Sequence, residues 1–146
     1  MYVAAKCFPK ARITGIDLFK RGSISEISIQ KAADNMRSLG IESRTSFLTR
    51  EAATSPGSKP KPMEPVRDYD LAISNLVFHN LGKKRFEAYG TVFGALKRRG
   101  YFVLGDLFPY GKSDTDYFRE RSTLITESEE SGSGPWAYKT MVLRKT

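Results

Sequence analysis

The sequence predicts an α/β domain built on a mostly parallel sheet, and three observations carry that prediction. Short apolar runs bounded by turn residues alternate with segments whose apolar residues recur every three or four positions. The run from Tyr69 to Val77 is almost continuously apolar, as strands are when a parallel sheet is covered on both faces. The last two strand-like runs are joined by a stretch too short for a crossover helix, so the sheet should end in an antiparallel hairpin.

The elements follow in order. Ala11 to Leu18 reads as a short strand ending in the acid Asp17. Ser23 and Glu26 have capping-box spacing, in which each side chain satisfies the other's backbone donor. Ile29, Ala32, Ala33, Met36 and Leu39 continue at helical spacing, and Gly40 stands where a left-handed helix end favours glycine. Ile41 to Glu51 contains a second strand centred on Ser46, Phe47 and Leu48. Residues 52–68 hold Pro56, Pro60, Pro62 and Pro65 among Ser, Gly and Lys, which predicts a long surface loop. After the strand at Tyr69–Val77, a helix is predicted from Lys83 to Arg99, with Phe86, Tyr89, Phe93 and Leu96 on one face. Gly90 and Gly94 weaken that helix unless it packs closely on the sheet. Gly100 ends it, and Tyr101 to Phe108 forms the next strand. Ser113, Asp114 and Asp116 start a short helix that closes near Arg121. Leu124 to Glu127 and Trp136 to Arg144 form the hairpin.

Composition narrows the function classes. The chain has 146 residues, enough for one domain with one core, and 40% of them are apolar. No apolar run approaches the roughly 20 residues that span a bilayer. The first residues lack the apolar core and cleavage site of a signal peptide. Cys7 is the only cysteine, which excludes an internal disulfide and makes a reducing cytoplasm the default expectation. The formal net charge is +8, which raises nucleic acid as a partner. The basic residues are nevertheless spread along the chain. The two tight groups, Lys83-Lys84-Arg85 and Lys97-Arg98-Arg99, bracket one predicted helix and read first as solvated helix ends.

Ligands in open α/β sheets bind outside the carboxyl ends of the strands, so the residues there are the candidates. Asp17 could accept hydrogen bonds from two ribose hydroxyls, or serve as a solvated turn residue. Glu51 could reach an adenine amino group, or lie in an exposed loop. Ser74 and Asn75 end a predicted buried strand in polar groups that need a use or solvent. His79 is the only histidine and could act as a base near neutral pH. Its alternatives are a helix-start hydrogen bond and a surface position. Asp106 lies late in its strand, facing either the site or a helix end.

Four of these segments, in this order, resemble the class I S-adenosylmethionine-dependent methyltransferases. Ile13-Thr14-Gly15-Ile16-Asp17 is similar to the family's second strand, whose acidic end holds the ribose. Arg50-Glu51-Ala52 resembles its Gly-Asp-Ala after the third strand, with Glu in place of Asp. Tyr69 to His79 resembles the fourth motif, beneath the methyl donor. Leu96 to Leu104 resembles the "leucine-lysine-proline-glycine-glycine" turn into the fifth strand, with Arg98 and Arg99 in place of proline and the first glycine. The resemblance implies a Rossmann-like fold with helices on both faces of the sheet, and S-adenosylmethionine as cofactor. It implies Asp17, Leu18, Glu51, Ala52, Ser74 and Asn75 as cofactor contacts and His79 as a base.

The family's Gly-x-Gly-x-Gly loop after a first strand has no counterpart in these 146 residues. Tyr2 to Phe8 is similar to the end of the helix that follows that loop. The expectation is therefore a single partial domain over residues 1–146 that lacks the usual first, central strand. As written it should be inactive in methyl transfer, bind the cofactor weakly, and leave strand edges open to oligomerisation or strand swapping. A small molecule is the expected methyl acceptor, because nothing resembles the Asn-Pro-Pro-Tyr signature. The alternatives are a non-catalytic remnant serving as a partner-binding module, and a nicotinamide-dependent oxidoreductase.

Overall fold

The computed structural model describes residues 1–17, 29–49, 68–107, 111–131 and 138–146. They fall into two compact units, Met1–Ala52 and Ala53–Thr146. The proposed capping box at Ser23 and Glu26 and all but the end of the proline-rich stretch lie outside the described residues.

The first unit holds helix α1 (Tyr2–Cys7), strand β1 (Ile13–Asp17), helix α2 (Ile29–Ser38), a short 3-10 turn at Glu42–Arg44 and strand β2 (Thr45–Thr49). β1 and β2 pair in parallel, Ile13 opposite Thr45 and Asp17 opposite Thr49. α2 ends as its sequence predicts. Gly40 has φ 68°, its N–H donates to the carbonyl of Arg37, and the N–H of Ile41 donates to the carbonyl of Met36. Those two bonds satisfy carbonyls that the helix end would otherwise leave open. Arg44 ties α1 to this unit. Its guanidinium donates to the carbonyls of Ala5 at 2.8 Å, Phe8 at 3.1 Å and Ala11 at 3.3 Å.

The second unit holds strand β3 (Tyr69–Asn75), a 3-10 segment at Phe78–Lys84, helix α3 (Arg85–Ala95), strand β4 (Leu96–Leu107), helix α4 (Gly111–Arg119) and strands β5 (Ser122–Ser131) and β6 (Tyr138–Lys145). The sheet order is β3-β4-β6-β5. β3 and β4 are parallel, while β6 is antiparallel to both β4 and β5, as the short connection required. Aromatic residues form the core against one face. Phe78, Tyr89, Phe93, Phe102 and Phe118 are each at most 5% exposed. Tyr89 stands 4.7 Å from Phe78 and 4.7 Å from Phe118, ring centre to ring centre. Burial pushes the Tyr89 hydroxyl well above the usual tyrosine range, and the nearby Asp114 adds to it.

Three expectations need correction. The predicted helix to Arg99 stops at Ala95, and Leu96 is already extended and paired with Tyr69 of β3. Lys145 accounts for the early stop: its ammonium donates to the carbonyls of Phe93 at 2.6 Å and Leu96 at 2.7 Å, groups a longer helix would have bonded itself. Residues 97–100 then bulge before pairing resumes at Leu71 and Tyr101, with Arg99 at φ 64°. Second, Gly90 and Gly94 are not explained by packing on the sheet. A Cβ on Gly90 would meet the Tyr117 hydroxyl of α4, and one on Gly94 would meet nothing within 4 Å. Third, β3 is not buried on both faces, since Ile73 is 55% exposed. Among the described residues β3 pairs with β4 alone and β1 with β2 alone, so each has a second edge with no described strand on it.

Candidate functional site

The carboxyl ends of β3 and β4 lie side by side, Asn75 opposite Gly105. The chain turns sharply after β3. Leu76 takes φ 53°, a region that costs a non-glycine residue about 1 kcal/mol, and its N–H donates to the Gly105 carbonyl at 2.8 Å. This turn aims the next backbone donors at Asp106. The Asp106 carboxylate is 0% exposed. Its Oδ2 accepts the N–H of Val77 at 3.1 Å and of Phe78 at 2.6 Å, and its Oδ1 accepts the N–H of Leu107 at 2.8 Å. His79 Nδ1 lies 2.6 Å from the same Oδ1.

Asp106 therefore serves both roles the sequence left open. It caps the start of the 3-10 segment, and it faces the candidate site through His79. Three convergent N–H groups donate to the carboxylate, an arrangement that favours its acceptor form and so a proton on Nδ1 of the imidazole. His79 is likewise both a residue near a helical start and a group poised beside the strand ends. Its side chain is 17% exposed.

Asn75, exposed at the last position of β3, accepts the Tyr138 hydroxyl on Oδ1 at 2.8 Å. Tyr138 opens β6 and was not among the sequence candidates. The register between β4 and β6, Leu107 opposite Tyr138, brings it over the end of β4, and no local signal carries that register. Ser74 is half-buried one residue earlier. Ser74, Asn75 and His79 are thus brought to one end of the second unit. Asp17 is exposed at the last position of β1 in the first unit. Leu18, Glu51 and Ala52 lie outside the described residues.

Asp114, read from sequence as part of a helix start, is 1% exposed and forms a two-pronged pair with Arg85. Arg85 Nε donates to Oδ1 at 2.7 Å and Nη2 to Oδ2 at 3.1 Å, and Nη1 donates to the Gly82 carbonyl at 2.8 Å. The pair joins the start of α3 to α4. Among the described residues no cluster of His, Cys, Asp and Glu has the arrangement of a metal centre. No described helix is long and apolar enough to cross a membrane.

No protein-family model matches the sequence, and no curated protein matches it. Solved structures do match its fold. The N-methyltransferase NodS from Bradyrhizobium japonicum WM9, in complex with S-adenosyl-L-homocysteine, aligns with TM-score 0.70 and 15% identity over 97% of this chain and 71% of its own. The 1,6-didemethyltoxoflavin-N1-methyltransferase of Burkholderia thailandensis, with bound 1,6-didemethyltoxoflavin and S-adenosylhomocysteine, aligns with TM-score 0.63 and 12% identity over 99% of this chain and 75% of its own. An rRNA methylase from Streptococcus thermophilus aligns with TM-score 0.58 and 14% identity over 93% and 87%. The fold is that of the class I methyltransferases, Rossmann-like and mixed α/β.

Proposed function

We propose that the chain carries an S-adenosylmethionine-dependent methyltransferase domain acting on a small molecule. The fold, shared with structures holding S-adenosylhomocysteine, supports the cofactor class. The polar group at the ends of β3 and β4 supports a chemical role for this end of the sheet. Asn75, His79 and Asp106 gather there around a strained turn, which a purely structural strand end does not need. That gathering is the observation that carries the reading.

The residues fit the cofactor in the chemistry of their donors. Asp17 offers carboxylate oxygens to ribose hydroxyls. Asn75, with Oδ1 engaged by Tyr138, keeps an exposed amide nitrogen to donate to an acceptor on the ligand. Bound cofactor supplies a methyl group on a positively charged sulfur. The protein's share is to orient that methyl against the acceptor and exclude water, so catalysis leans on positioning. The preference for a small-molecule acceptor is supported by the 1,6-didemethyltoxoflavin bound to the Burkholderia enzyme and by the lack of an Asn-Pro-Pro-Tyr sequence in these 146 residues.

The test is a titration of the isotopically labelled 146-residue chain with S-adenosylhomocysteine, followed by NMR. Without a Gly-x-Gly-x-Gly loop in these residues, binding should be near millimolar, about −4 kcal/mol. The amides of Asp17 and of Asn75 to His79 should shift, and Asp17→Ala in a protein to which the glycine loop is restored should weaken binding by roughly 1–3 kcal/mol. Shifts confined to other residues, or none at saturating ligand, would remove the reading. Micromolar affinity would show that the glycine loop matters less than argued.

A further inference from the structure

We propose that Tyr138 is a positioning residue that fixes Asn75 as a hydrogen-bond donor, and that the methyl acceptor meets this donor with a carbonyl or carboxylate oxygen. The proposal rests on the methyltransferase reading and deepens it by naming a group the substrate carries.

Tyr138, Gly105 and Asn75 belong to three strands, and β4 separates β6 from β3 in the sheet. The registers set Leu107 opposite Tyr138 and Gly105 opposite Asn75, so Tyr138 and Asn75 share one face of the sheet with Gly105 between them. Neighbouring strands lie about 4.8 Å apart, so the tyrosine reaches across a whole strand to donate its hydroxyl to Asn75 Oδ1 at 2.8 Å. Only a residue without a side chain at position 105 allows this. A Cβ there would collide with the Tyr138 hydroxyl, and would lie 2.9 Å from Asn75 Oδ1 and 3.0 Å from Tyr138 Cζ.

The sheet does not need this bond to hold the end of β3. The Leu76 N–H already donates to the Gly105 carbonyl at 2.8 Å, and the N–H groups of Val77 and Phe78 donate to Asp106. What the bond decides is which end of the Asn75 amide faces outward. An amide carries an acceptor oxygen and a donor nitrogen, and can turn to present either. With the oxygen held by Tyr138, the exposed Asn75 presents two N–H donors, to which no described residue offers an acceptor. A carbonyl or carboxylate oxygen answers such donors. An amine that accepted them would spend the lone pair the methyl group needs, and its remaining N–H groups would face N–H groups. The oxygen that meets Asn75 need not be the atom that is methylated.

The test uses the whole chain and two uncharged probes of similar size, because the formal net charge of +8 would draw any anion. Acetophenone offers a carbonyl oxygen and no donor. Aniline offers N–H donors and only a weak acceptor. NMR follows the side-chain amide of Asn75, identified by its loss in Asn75→Ala, before and after S-adenosylhomocysteine is added. Acetophenone should move those signals and bind about tenfold more tightly than aniline, the worth of one well-placed hydrogen bond. Tyr138→Phe keeps the ring and removes the hydroxyl, so the freed amide can turn and the preference should vanish. A tyrosine with a structural role alone would lower the urea midpoint on that substitution and leave the preference in place, which overturns the positioning role. If Tyr138→Phe does not fold, the unmodified chain still decides. Equal binding, a preference for aniline or unmoved Asn75 signals, with the cofactor-analogue shifts at Leu76 to His79 intact, overturns the proposal alone. An acetophenone response that disappears once S-adenosylhomocysteine is added gives the amide to the cofactor and overturns the substrate assignment. No response to S-adenosylhomocysteine at Asp17 or at Leu76 to His79 overturns the methyltransferase reading, and the substrate assignment with it.

Discussion

Gly94 and Gly100 stand close in sequence and in opposite surroundings. A Cβ on Gly94 enters open space on α3, whereas one on Gly100 would lie 2.9 Å from the Lys97 carbonyl oxygen and 3.2 Å from that of Tyr69. Backbone oxygens cannot swing aside as a side chain can. Gly94→Ala should therefore stabilise the chain by about 0.5–1 kcal/mol, since alanine loses less conformational freedom in a helix. Gly100→Ala should destabilise it by about 1–3 kcal/mol. Urea denaturation of the two variants checks both signs, and equal effects would mean that the bulge at residues 97–100 is misjudged. Single residues were also where the sequence was hardest to read. His79 and Asp106 each had two credible roles, and only the structure shows that the two meet across 27 positions. Asp114 read only as a helix-start acid because its partner, Arg85, lies on another element.

Elements were legible where local pattern and tertiary structure agree. The strands at Ile13–Asp17, Thr45–Thr49 and Tyr69–Asn75 and the antiparallel β5–β6 pair all follow from apolar runs and connection length. The glycine-ended helix α2 follows from its spacing and Gly40. The end of α3 was not legible, because Lys145 and Tyr69, which stop it, come from distant parts of the chain. Register, too, is set by long-range pairing, which is why Tyr138 was missed. The join between α3 and α4 offers an element-scale test. Arg85→Met leaves the buried Asp114 carboxylate without its main partner and should cost about 3–5 kcal/mol. Arg85→Met combined with Asp114→Leu removes both charges and should recover most of that loss. A double variant as unstable as the single one would place the cost in the contacts of Arg85 with Gly82 and Phe86 instead.

At the scale of the whole molecule, charge is the property most easily misread. The +8 net charge invites nucleic acid, and both basic groups lie in the second unit, around α3. Lys97 is already paired with Asp70 at 2.7 Å, while Lys83, Lys84, Arg98 and Arg99 are exposed. Binding to a single-stranded RNA should therefore be non-specific, with dissociation constants of about 10⁻⁴–10⁻⁶ M at physiological salt and a steep loss of affinity as salt rises. Fluorescence anisotropy across a salt series measures this. Tight, sequence-selective binding that survives physiological salt would overturn the preference for a small-molecule acceptor.

The sheet order β3-β4-β6-β5 also has a consequence for the order in which the chain can be built. Synthesis delivers β5 before β6, yet β6 stands between β5 and the rest of the sheet. When β5 emerges from the ribosome it has no strand to pair with, and it must wait for one until β6 has followed it out. Domains form during translation at about 5–20 residues per second, so this interval leaves one strand ready and unpartnered in every newly made molecule. Ribosomes stalled far enough downstream that residues up to 137 have cleared the exit tunnel should hold a nascent chain whose β5 segment is open to protease. Stalling late enough to expose Lys145 should close it in a single step.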